Sequence, residues 1–285
     1  MDNKLKLKRH ESFSIREGWL TKGLKNIKEN NKVFSDEKAT DILGIGSNMV
    51  KSLKYWMLAT KLAEEKNKGM CLTDFGELIY KYDLYLEYSF SWWLIHLNLV
   101  LNTEDAYVYN LFFNLCRNRE FSKKDIFERI TDFLNSKKIE YNDKMLQDEI
   151  SIIVRTYTID EKIDNPENNF ICPLSELNMI KKIGKDQYSK IKPNYKELHY
   201  LVVFYLIEQL LTERESISIE ELSESTNGPC NLLNLDKSLL NDYLDDLKKN
   251  KYIIINRTAG LNMIYINNKL TIEEIITEYF DGGKQ

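Results

Sequence analysis

Apolar residues along this chain recur mostly at helical spacing, and the departures fall in two places. Ile15, Trp19, Leu24 and Ile27 form a stripe through "SIREGWLTKGLKNIKENN" (Ser14–Asn31), with Lys22, Lys25 and Lys28 off it and Asn30-Asn31 ending it. "SDEKATDILG" then opens on Ser35 as an N-cap, puts acids in its first turn and stops at Gly44. A third helix is predicted from Ser47, another N-cap residue, to about Thr60, with Val50, Leu53, Met57 and Leu58 inward and Trp56 partly so. "KLAEEKNKGMCLTDFGELIY" follows as a strand, a charged Asn/Gly turn, a returning strand and a helix capped at Thr73 or Asp74. Helix, helix, turn, helix, β-ribbon is the order of a winged helix.

The middle of the chain reads as helices. Tyr88–Asn102 is apolar on nearly all sides, which predicts a buried central helix. "TEDAYVYNLFFNLCRN", "SKKDIFERITDFLNSKK" from Ser122, and "NDKMLQDEISIIVRTY" make three more. Thr158–Ile180 is polar and holds two of the four prolines, so Asp160–Asn169 is expected to be a loop or linker. Beyond it the first pattern returns. Leu198–Leu211 is an apolar helix, Ser218 and Glu221 make a capping box, and "DKSLLNDYLDDLKKN" repeats leucines at helical spacing. "KYIIINRTAGLNMIYINN" alternates about Thr-Ala-Gly as a hairpin, and a helix over Thr271–Phe280 closes the chain. The expected fold is mainly α: two winged-helix modules, residues 1–84 and 198–285, joined by a helical middle region, 85–197.

Composition adjusts this picture only a little. Four prolines and eleven glycines in 285 residues are few for a mainly β chain. Cys71, Cys116, Cys172 and Cys230 are scattered, with no C-x-x-C, so reduced thiols are expected and a zinc site is not. Tyr88–Leu101 is short for a membrane span and is interrupted by Ser91, His96 and Asn98, while "MDNKLKLKRHESF" has no apolar signal core. Cytoplasmic residence follows as the expectation.

Charge changes more. The net charge is −4, yet the first 70 residues carry 15 basic against 9 acidic side chains and the remainder 25 against 35. Any polyanion contact is therefore expected in the head. There "LGIGSNMVKSLKYW" (Leu43–Trp56) raises the choice between a phosphate loop and a helix-turn-helix corner. A phosphate loop needs a longer glycine run ending in Gly-Lys-Ser/Thr after a strand, and a dinucleotide fingerprint needs three glycines. Neither pattern is here. In the helix-turn-helix reading Ala39 permits close approach, Gly44 takes the left-handed corner and Ile45 plugs beneath it. Ser47, Asn48, Lys51, Ser52 and Lys54 then lie on the reading helix, and Lys66 and Lys68 at the wing tip, as duplex-contacting residues. No arginine lies on that helix, so the commonest guanine contact is missing.

The second module has the opposite sign. Asp236, Asp242, Asp245 and Asp246 on its third helix would repel phosphates and suit a protein partner or a homodimer contact. His10, Glu11, Arg16 and Glu17 lie close together in "HESFSIREGW", but no nucleophile accompanies them and a salt-bridged approach to the first helix is favoured. His96, in "WWLIHLNL", reads as a hydrogen-bonded core residue. Cys172 lies near Glu167 and Glu176, which would raise its pKa rather than activate it. No catalytic residue, metal site or cofactor is expected.

"FSIREGWLTKGL", "LGIGSNMVKSLKYWM", "LTDFGELIY", "SWWLIHLNL", "CPLSEL" and "TAGLNMIYI" resemble, in order, the landmarks of one bacterial family of unknown function, number four thousand and seven in that series. Lys54 falls where that family has a Lys or Arg ahead of tryptophan, and Thr258 to Leu261 keep its "TAGL". Members are encoded in mobile defence regions, often beside enzymes resembling phosphoadenosine phosphosulfate reductases that serve DNA phosphorothioation. The resemblance implies an accessory role around DNA sulfur modification and brings no catalytic residues. Two functions follow: a DNA-binding accessory or regulator, or a scaffold that docks the modification enzyme without touching DNA.

Overall fold

A computed structural model describes residues 4–159, 171–212, 214–258 and 261–282. The chain divides into two units, Met1–Ile191 and Lys192–Gln285. The basic head and the middle region thus share one unit, and the boundary lies ahead of residue 198. Helices are interspersed with three small antiparallel sheets among the described residues, so the architecture is mixed rather than mainly α.

The first unit starts with α1 (Trp19–Glu29), a 3-10 turn (Val33–Ser35), α2 (Ala39–Leu43) and α3 (Ser47–Ala59). Trp19, Leu20, Leu24 and Ile27 are the buried face of α1, as the stripe requires. The caps differ from the sequence reading. Ser35 ends the 3-10 turn, and Lys38 precedes α2 without a side-chain cap. Ser47 is the first residue inside α3, and Gly46 is its N-cap. Gly44 has φ +59°, where a side chain would be strained, and its N–H returns to Thr40 O. Gly46 is extended at φ −65° and needs no such freedom. The bend therefore sits at Gly44.

The ribbon is β1 (Ala63–Lys66) and β2 (Gly69–Leu72), paired Lys66 to Gly69 across Asn67 (φ +51°) and Lys68 (φ +62°). Two left-handed residues give the turn whose twist matches a tight hairpin. Thr73 caps α4 (Asp74–Tyr82) by accepting the Gly76 N–H. A Cβ on Gly76 would lie 1.9 Å from the Leu62 carbonyl oxygen, so α4 presses against the ribbon only because that position is bare.

α5 (Ser89–Leu101) is buried on almost every side, against α6 (Tyr107–Leu115) and a 3-10 turn at Pro173–Leu177. Asn102, just past its end, donates to the Leu58 and Ala59 carbonyls of α3, tying head to middle. α7 (Lys123–Ser136) has a full capping box from Ser122 and Asp125, and Asn142 caps α8 (Asp143–Tyr157). The middle also contains a sheet absent from the sequence reading: β3 (Glu120–Phe121), β4 (Ile180–Gly184) and β5 (Gln187–Lys190), in the order β3-β5-β4. Its strands are short and lysine-rich, and only Phe121, Ile180, Tyr188 and Ser189 turn inward, too few to set a visible alternation. The expected linker, Asp160–Asn169, lies outside the described residues.

In the second unit α9 (Tyr200–Leu210) is followed by β6 (Ser216–Ser218), α10 (Ile219–Glu224), α11 (Pro229–Leu232) and α12 (Lys237–Lys249). Then come β7 (Ile253–Thr258), β8 (Leu261–Ile266) and α13 (Ile272–Gly282). The sequence reading has the hairpin but not β6, which joins it as β6-β8-β7. Ser218 accepts the Glu221 N–H, but the Glu221 carboxylate pairs with Arg214 instead of returning to Ser218, so the expected box is half made. The Ala259-Gly260 tip lies outside the described residues.

Candidate nucleic-acid interface

The uncapped start of α3 is the centre of the candidate surface. The first amides of any helix lack intrahelical acceptors, and elsewhere in this chain Thr73, Ser122, Asn142, Ser218 and Asp236 supply side-chain ones. At α3, as at α1, α2, α5, α6 and α11, no side chain does so. Because Gly46 takes the cap position, the Ser47 hydroxyl stays outside the capping geometry. Ser47, Asn48 and Lys51 are exposed, and partial positive charge from the helix dipole adds to that of Lys51.

Lys66 and Lys68 are exposed at the ribbon tip and enter no ion pair among the described residues. Lys54 is different: it is half-buried, with its Nζ 2.6 Å from Glu65 Oε1 on β1. Ser52 does not belong to the surface. It is fully buried because it shares the face of Tyr55, Trp56 and Ala59, three, four and seven residues on, all in the core. Its assignment to duplex contact is therefore corrected.

Much of the basic character of the head is spent internally. Lys22 Nζ donates to the Leu43 carbonyl at 2.5 Å, closing the C-terminus of α2. Lys25 sits 4.5 Å from the Tyr85 ring centroid, and Lys28 pairs with Glu77 at 2.8 Å. The sequence shows the count of lysines but not these partners, which lie on other elements.

His10 illustrates the same limit. It is not gathered with Glu11 and Glu17 into a surface cluster. It is fully buried, its Nε2 2.9 Å from Glu149 Oε2 on α8, while Nδ1 accepts the Ser12 N–H. The Tyr55 hydroxyl on α3 lies in the same buried region without a hydrogen-bond partner, and burial, then Glu149, push its pKa well above the usual phenol value. The Lys8 N–H also donates to Glu149, and Arg9 pairs with Asp105. With His10, Tyr55 and Glu149 at 0, 3 and 4% exposed, the cluster anchors the N-terminal segment and offers no access to a reactant. Nothing in the local sequence links residue 10 to residue 149.

His96 Nδ1 lies 2.7 Å from the Tyr157 hydroxyl in the core. The four cysteines are free, and burial above all pushes Cys172 up to about 12. No helix among the described residues is long and apolar enough to cross a membrane. Among the same residues no group of three or more His, Cys, Asp or Glu side chains is placed to hold a metal ion.

In the second unit the corresponding helix start is closed. Asp236 caps α12 by accepting the Leu239 N–H at 2.8 Å and pairs with Lys192 at 2.8 Å, which holds its carboxyl below the usual range. Asp242 and Asp245 are exposed, and Asp246 meets the Tyr195 hydroxyl, pushing it up to about 12. An anion finds no opening there.

Fold and surface together define a two-unit protein of helices and small sheets, in which α3 starts uncapped and exposed beside Lys51. The chain belongs to a family described as "Protein of unknown function (DUF4007)", which it matches over residues 7–280. Its fold is similar to two solved structures of SspB, one titled as magnesium ion-bound. They share 20% and 19% identity with TM-scores of 0.84 and 0.83, each covering 98% of this chain and 89% of the other. At that identity the likeness is one of fold. No curated protein matches the chain.

Proposed function

We propose that this protein is a non-catalytic DNA-binding accessory or regulator in a bacterial DNA sulfur-modification and defence system. In this reading α1 to α3 and the β1–β2 ribbon act as a winged helix, and so do α9 to α12 with the β6-β8-β7 sheet. The observation that carries the proposal is the uncapped, exposed start of α3, with Asn48 and Lys51 on its first turns and Lys66 and Lys68 on the ribbon. Phosphates are drawn by the amides and lysines, while Asn48 is of the type that reads base edges. The link to phosphorothioation rests on the family resemblance and is supported by the SspB-like fold.

A second reading is favoured by the second unit. Exposed Asp242 and Asp245 and the closed start of α12 suit a protein surface, such as a phosphoadenosine-phosphosulfate-reductase-like enzyme or a second copy of this chain. One experiment separates the readings: anisotropy of a labelled duplex with the whole protein and with Lys51→Glu. Binding that Lys51→Glu weakens about tenfold or more supports the DNA reading. Absence of binding at about 50 mM salt, where phosphate contacts are strongest, gives the scaffold reading if the modification enzyme still co-purifies.

A further inference from the structure

Strand alternation puts Glu65 on the face of β1 that carries buried Ala63, yet near the ribbon tip it stays exposed. Ala63 and Glu65 share a face of β1, opposite Leu72 and Met70 of β2, and Ala63, Leu72 and Met70 are all buried. Glu64 and Lys66 point the other way. Lys54 of α3 pairs with the Glu65 carboxylate at 2.6 Å. The pair borders a cleft of about 280 Å³ that Asn31, Phe34, Ser35, Lys66 and Lys68 also line. At ~30 Å³ per water the space takes roughly nine waters, enough for a phosphate group and part of its hydration.

The cleft is held in shape by the backbone. The Met70 N–H donates to the Asn31 carbonyl at 2.7 Å, and a Cβ on Gly69 would stand 2.8 Å from that oxygen. Three lysines therefore border a space that contains one acid. The ion pair inside it is weakly held, since the Lys54 and Glu65 side chains remain 37% and 62% exposed.

Resting on the DNA-binding reading, we infer that this cleft is a subsite for a backbone phosphodiester and that Glu65 is its resident competitor. The Glu65 carboxylate holds Lys54 and competes with a phosphate entering between α3 and the ribbon. Removal of the Glu65 charge frees Lys54 to meet the phosphate beside Lys66 and Lys68. Glu65 thereby weakens duplex binding without regard to base sequence.

The test uses the whole protein with Glu65→Gln and, as a control of equal charge, Glu64→Gln on the outer face of the same strand. Anisotropy with one duplex is followed over a salt series. Glu65→Gln is expected to bind three- to tenfold more tightly at low salt and to steepen the slope of log Kobs against log salt by about 0.9, the value for one more cation on the duplex. Glu64→Gln should give less than a third of that gain, and Lys54→Met added to Glu65→Gln should abolish it. Equal gains from the two glutamine variants, or none from Glu65→Gln while the duplex still binds, overturn the inference and leave the DNA reading intact. Failure of every variant to bind duplex overturns both. Inorganic phosphate, titrated while the Gly69 amide is watched by NMR, separates the sources. Saturation that the duplex does not compete away marks a free-phosphate site and also overturns the inference.

Discussion

The proposed duplex contact predicts a salt dependence that can be worked from the exposed charges. Lys51, Lys66 and Lys68 are exposed and unpaired, whereas Lys54 and Glu65 offset each other. Three neutralised phosphates give a slope of about −2.7 in log Kobs against log salt, so affinity falls about 40-fold between about 50 and 200 mM salt. The perturbation is the pair Lys66→Gln and Lys68→Gly. Glycine is chosen because Lys68 sits at φ +62°, where glycine is unstrained and the turn is kept. With Lys51 alone the slope becomes about −0.9, a fall of only about 3.5-fold over the same range. Fluorescence anisotropy with a labelled duplex measures both slopes, and circular dichroism confirms that the ribbon survives. A double variant whose slope equals that of the unaltered protein would refute the reasoning, because the wing tip would then not lie on the phosphates.

Two stability predictions follow from buried contacts. Partial burial pushes Glu208 up to about 7, although its carboxylate accepts the Leu270 N–H at 2.9 Å. The folded second unit therefore holds that proton more tightly than the unfolded chain. Stability is undiminished below about pH 4.5, declines between about 4.5 and 7 and is lowest above 7, by about 1–2 kcal/mol once solvent screening is allowed for. Glu208→Gln should remove this decline, read as amide exchange at Leu270 between pH 5 and 8; an unchanged pH profile would disprove it. Gly76→Ala would force a Cβ to 1.9 Å from the Leu62 carbonyl oxygen, a backbone atom. A loss of about 3 kcal/mol is expected, at the upper end for overpacking. All four tryptophans lie in the first unit, so their fluorescence reports its melting, and an unaltered midpoint would contradict the expectation.

Helix content, the positions of most helices and the sign of each module's charge were decided by the sequence. Those properties depend on residues three or four apart, or on local composition, as in the stripe Trp19, Leu24, Ile27 and the Thr73 cap of α4. The corner at Gly44 was legible for the same reason: one left-handed residue ends one helix and aims the next. Tertiary structure alone decided which lysines are free to meet an anion, because Lys22, Lys28 and Lys54 have partners on α2, α4 and β1. It also decided that Ser52 is interior and that His10 meets a glutamate of α8. Strands β3, β4, β5 and β6 belong here too, since a strand of two to five residues acquires its identity from the neighbour it pairs with. Periodicity is a property of one segment, whereas a free charge is defined by everything that folds against it.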